Sequence, residues 1–133
     1  MIDRSHPIYH MSKEQVLIAS LEKEYLFYQS IRELIFEEKE LLTHKRQLSS
    51  ITKIAKKRTI LFSFIEEIEQ AIKPLKLHWL AKADKTDTES RQISELLVQL
   101  KVLIEEILHI DQQNQKLLKS HLLHLKNLSV PKN

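Results

Sequence analysis

The chain has 133 residues, a formal net charge of +3, no glycine and no cysteine. Its length suits one domain or one elongated bundle, and without glycine the phosphate-cradling loops and tight turns of most enzyme superfolds are excluded. Without cysteine there are no disulfides or thiolate chemistry, which fits a reducing compartment, and so small a charge excess does not by itself imply nucleic acid.

Leucine, isoleucine, lysine, glutamate and glutamine dominate, the composition of long helices. The first predicted helix spans about 12–41. Ser12 is its N-cap and Gln15 completes a capping box. Leu17, Leu21, Tyr25, Tyr28, Ile31 and Ile35 then recur at helical spacing. "LLTHK" offers Thr43 as a break and new cap.

The second helix, about 44–82, carries two heptad columns. Ile51, Arg58, Ile65, Ile72 and Trp79 form one; Ile54, Leu61, Ile68 and Leu75 form the other. The stripe keeps its phase past Pro74, so a kinked continuation is expected there, with a true break and a short separate helix as the alternative. "ADKTDTES" is the most turn-like stretch, with Asp87 or Thr88 as the next cap.

The third helix spans about 89–127, roughly 60 Å. Ile93, Leu100, Ile107, Asn114 and His121 lie seven apart. Between Leu96 and Ile110 the apolar arc covers roughly 160°, wider than one neighbour requires. The expected fold is a single all-α domain over 1–133: an elongated antiparallel three-helix bundle, a long hairpin of helices two and three plus a shorter first helix. A first helix about ten residues shorter would leave the end near Trp79, Leu80, Ile93 and Leu97 least covered, unless residues 1–11 fold back.

No stretch approaches the roughly 20 apolar residues that span a bilayer. "MIDRSHPIYHM" lacks the apolar core of a signal peptide. A soluble, cytoplasmic protein is expected.

Chemistry-bearing residues are scattered. His109, His121 and His124 lie near Glu105 and Asp111, but "EILH" at 106–109 is a single Glu-x-x-His string where a di-metal bundle needs two. Adjacent carboxylates such as Glu66/Glu67 diverge by about 100° on a helix, and Ser49–Ser50 has no histidine or acid in triad order. Neither an enzyme nor a cofactor is expected. Lys45, Arg46, Lys53, Lys56, Lys57 and Arg58 form a basic run, which Glu33, Glu37, Glu38 and Glu40 would face across the turn. Nucleic acid is therefore a less favoured partner. Arg58 either snorkels or pairs with an acid across the bundle. Trp79 is either a seam residue or a binding anchor at the tip. Asn114, inside an apolar column, is a register device, which leaves Gln112, Gln113 and Gln115 unexplained.

Two stretches resemble the FlgN-type flagellar export chaperones. "LIFEEKELLTHKRQLSSITKIAKKRTIL", residues 34–61, is similar to that family's paired leucines, glutamate, short break and lysine-bearing helix. "IDQQNQKLLKSHLLHL", residues 110–125, is similar to its C-terminal amides, paired leucines and small residue, matched here by Asn114, Leu117, Leu118 and Ser120. Glu40-Leu41 stands where the family has alanine-leucine, and Lys45 where it usually has an acid.

The resemblance implies a cytoplasmic chaperone that binds the C-terminal helical segment of hook-filament junction-type, or other type III secreted, clients. It would prevent their premature assembly and deliver them to the exporter, with export-gate or ATPase components as further partners. The wide arc makes Leu97, Leu100, Ile104, Ile107, Asn114, Leu117, Leu118, His121, Leu122 and Leu125, with Trp79, the expected partner-binding residues. The competing expectation is a self-associating coiled-coil component of a secretion apparatus, a homodimer included, whose arc is buried by another copy.

Overall fold

The computed structural model describes residues 11–44 and 47–129, with side chains described up to residue 127. They form three helices: α1 Lys13–Thr43, α2 Leu48–Leu80 and α3 Thr88–Ser129. The protein is an all-α three-helix bundle.

Each helix has a local reason to begin where it does. Ser12 Oγ accepts from the Gln15 N–H at 3.1 Å, and the Gln15 side chain accepts from the Ser12 N–H at 2.9 Å, closing the capping box. Asp87 caps α3, its Oδ2 accepting from the Ser90 N–H at 3.2 Å. At the start of α2, Gln47 makes no side-chain cap. That helix nevertheless runs unbroken through Pro74. The proline deprives the Gln70 carbonyl of its N–H. Both residues are exposed, so water can take that place, while buried Ile72 and Trp79 hold the helix on either side.

The turn from α2 to α3 is closed by side chains in place of glycine. Lys82 Nζ donates to Asp87 at 2.8 Å, and Asp84 accepts from the Thr86 N–H and hydroxyl. Lys85 Nζ donates to the carbonyls of Leu80 and Lys82 and lies 5.6 Å from the centre of the Trp79 ring.

Helix α1 packs closely along both other helices, whereas α2 and α3 scarcely approach at the backbone. Partners on α1 and α3 differ by 74 to 79 in residue number, as in Arg32–Glu106 and Ile35–Asn114, so these two run parallel. Glu38–Arg58, Arg58–Asp111 and Trp79–Ser90 set α2 antiparallel to both. One core cluster joins Leu17 and Leu21 of α1 to Ile72, Trp79, Ile93 and Leu100. The other joins Ile31 and Ile35 to Ile65, Leu103, Ile107 and Ile110.

This arrangement corrects two expectations. The hairpin arms are unequal, 33 residues for α2 against 42 for α3, so α1, with 31, falls short of α3 but nearly matches α2. At the tip Trp79 and Ile93 are enclosed and Leu97 is half-buried, because the capping box starts α1 level with the turn, where Ser12 Oγ donates to Glu89 at 3.2 Å, while Leu80 stays 60% exposed. The overhang falls at the opposite end. With 42 residues, α3 runs beyond the others: α1 ends level with residues 117–122, and α2 starts beside the same stretch.

Candidate functional site

Five of the expected partner-binding residues belong to the bundle's own interior. Trp79, Leu100, Ile107, Asn114 and His121 are buried, so the face expected to include them is narrower. Trp79 Nε1–H donates to Ser90 Oγ at 3.1 Å, which makes this residue a lock on the turn and not an anchor at an open tip. Leu97, Ile104, Leu117 and Leu118 are half-buried, while Leu122 and Leu125 are exposed.

The amides that interrupt the leucine stripe are explained mainly from within the chain. Asn114 Nδ2 donates to the Ile35 carbonyl at 2.8 Å and to Glu38 Oε1 at 2.9 Å. Glu38 is also gripped by Arg58 at 3.3 Å, and the other end of that guanidinium donates to Asp111 at 3.0 Å. One residue from α1, one from α2 and two from α3 thus make a continuous polar clasp. A buried network of this kind fixes register, since a slip of one turn would leave several charges unpaired. Gln115 donates to Asp111 at 3.0 Å and Gln113 accepts from Lys39 at 3.1 Å, bracing the clasp on both flanks. Gln112 is exposed, and nothing in the fold calls for it.

The clasp divides the side of α3 that faces α2 into two regions. Leu97, Ile104, Leu108, Asp111, Leu118 and Leu122 recur on that side at helical spacing. Towards the α2–α3 turn the two helices stand apart over a groove of about 300 Å³, walled by Leu97 and Ile104 and floored by Glu24 and Tyr28 of α1. Beyond the clasp, α3 projects, and Leu122, Leu123 and Leu125 are 47%, 57% and 39% exposed.

Electrostatically the groove floor is unusual. Glu24 is only 1% exposed, and its Oε1 has no hydrogen-bond donor. Two facing carboxylates can bond only if one keeps its proton. Burial pushes the Glu24 carboxyl up to about 8, with Glu69 reinforcing the shift, so Glu24 is the one that keeps it. Burial acts against ionisation of Glu69 too, but the bonds from Glu24 and from Lys76 outweigh it and hold Glu69 below its ordinary value. Lys76 Nζ lies 2.7 and 2.8 Å from the two Glu69 oxygens. The Tyr28 hydroxyl is raised by burial and then by both acids.

Of these residues only Tyr28 stands out in the sequence, as a member of the α1 stripe; Glu24, Glu69 and Lys76 do not. The usable signal is the heptad 17-21-24-28-31-35-38-42 on α1, whose two acidic members, Glu24 and Glu38, are both buried. A second depression, of about 400 Å³, lies between α1 and α2 beside Leu34, Ile60 and Leu61, with Glu33, Glu37 and Lys57 at its edge. Near it Phe27 stacks on Phe64 at 5.6 Å.

In the basic run, Lys53, Lys56 and Lys57 are exposed and Arg58 is committed to the clasp; Lys45 and Arg46 lie outside the described residues. Among the described residues no group of three or more acidic or histidine side chains is placed to hold a metal ion, and no helix is long and apolar enough to cross a membrane. Comparison with protein-family models, curated proteins and solved structures returns no match.

Proposed function

We propose that this protein is a non-catalytic helix-binding chaperone of the type III export kind. In this reading it is cytoplasmic and holds the helical C-terminal segment of a secreted client until export. One observation carries the reading. The end of α3 stands clear of α1 and α2 and presents Leu122, Leu123 and Leu125 to solvent, continuing the half-buried Leu117 and Leu118. An apolar strip of this width on one helix suits an amphipathic helix docking by i, i+3, i+4 anchors. Burying each leucine stabilises by roughly 1.5–3 kcal/mol, so a few suffice for micromolar binding after the cost of association. The resemblance of residues 34–61 and 110–125 to FlgN-type chaperones supports the export role.

The test is a comparative capture from the native cell. Wild-type protein is expected to recover an exported helical protein. The double variant Leu122→Asp/Leu125→Asp should lose it while far-UV circular dichroism stays helical. Equal recovery by both, or recovery of ribosomal material instead, would overturn the proposal.

A further inference from the structure

A buried acid with no cation of its own lies at the bottom of the α2–α3 groove. Lys76, the cation that α2 contributes to the groove lining among the described residues, is already held by Glu69 through two short bonds. On the α3 rim Lys101 and Glu105 are both exposed and offset each other. That leaves Glu24 bonded to Glu69 and not to a cation, with its Oε1 buried and lacking a donor. An ionised carboxylate in such a place carries a large desolvation cost unless a cation meets it.

The walls narrow the choice of cation. Leu97 and Ile104 are half-buried and two helical turns apart, about 10 Å along α3. The space between them suits the alkyl stem of a long side chain better than a hydrated ion. Lysine and arginine bring such a stem, packing it on apolar surface while the charged head reaches an acid.

We propose that this groove takes a lysine or arginine set within the apolar stripe of the client helix, with Glu24 as its counter-ion. The inference rests on the helix-binding reading above and names the chemistry of its partner. On insertion of the cation, Glu24 gives up its proton to solvent and with it the bond to Glu69, and the two carboxylates are then each met by a cation, the incoming one at Glu24 and Lys76 at Glu69. Tyr28, the remaining titratable group on the floor, stays protonated. A client helix lying along α3 can place its leucines at the projecting end and its basic residue in the groove, with the Arg58–Asp111 clasp between them.

Two synthetic peptides of about six helical turns test this. Both carry a leucine stripe; one has arginine at a stripe position and its twin has citrulline, which keeps the shape and lacks the charge. By titration calorimetry the arginine peptide is expected to bind roughly tenfold or more tightly than the twin. At pH 7 it should release about one proton, read from buffers of differing ionisation heat. In Glu24→Gln the arginine preference should vanish, so that the two peptides bind alike. Proton release is read on the wild-type protein and needs no variant to fold. Equal binding of the two peptides to wild type, or an arginine preference that survives Glu24→Gln, would remove the cation site alone. Failure of both peptides to bind would remove the helix-binding reading and this site with it.

Discussion

Glu24 and Glu38 stand two heptads apart in the buried seam of α1 and are treated in opposite ways. Glu38 is met by Arg58 and Asn114, whereas Glu24 keeps its own proton. The second arrangement has a consequence for stability. The Glu24 pKa, raised to about 8 in the folded chain, lies above its value in the unfolded one. Its contribution is therefore fully present below about pH 4.5 and is lost as pH rises towards 8. Glu69, held low, acts in the opposite sense and only below that window. Glu24→Gln is expected to flatten the fall of Tm between pH 5 and 8, removing a slope of up to roughly 1.4 kcal/mol per pH unit. Thermal melts followed by circular dichroism check this, and an unchanged slope would contradict it. Both acids belong to the 3-4 spacing of α1; Glu38 is marked by the basic run it faces, whereas a reading that follows apolar residues passes over Glu24. Arg58 did stand out, because a cation in an isoleucine column is conspicuous; which acids meet it depends on register between helices, which spacing within one helix does not encode.

The same division holds for elements. Ser12, Gln15 and Asp87 act within four residues of themselves, so the starts of α1 and α3 were legible in the chain. The start of α2 was not, since Thr43, expected as its cap, lies inside α1 and α2 begins only at Leu48 without a side-chain cap. How far each helix reaches alongside another was not legible either, because it depends on where the turns end, and at the tip expected to be bare Trp79 and Ile93 are covered while Leu80 is exposed. Pro74 is the main local irregularity within a helix. Pro74→Ala restores the N–H for the Gln70 carbonyl at an exposed site, and the expected gain is about 1–3 kcal/mol with the fold unchanged. A higher Tm checks this. A lower one would mean that the seating of Ile72 and Trp79 relies on the backbone shape the proline imposes.

At the scale of the molecule, α1 is the central rod and the other two lean on it from either side. The wide apolar arc of α3 was legible from its spacing. Most of that arc is spent on the chain's own core, around Leu100, Leu103, Ile107 and Ile110. The remainder is split by the clasp into the groove and the projecting end. That split arises from four side chains on three helices, which no single stripe shows. The central physical proposition is that a foreign helix covers this remainder. It is tested most directly by placing a photo-crosslinking phenylalanine analogue at position 122, with position 60 on the α1–α2 side as the control, and irradiating the native cell. Adducts to an exported helical protein from position 122 and not from position 60 are predicted. Adducts joining two copies of this chain, or the same adducts from both positions, would contradict it.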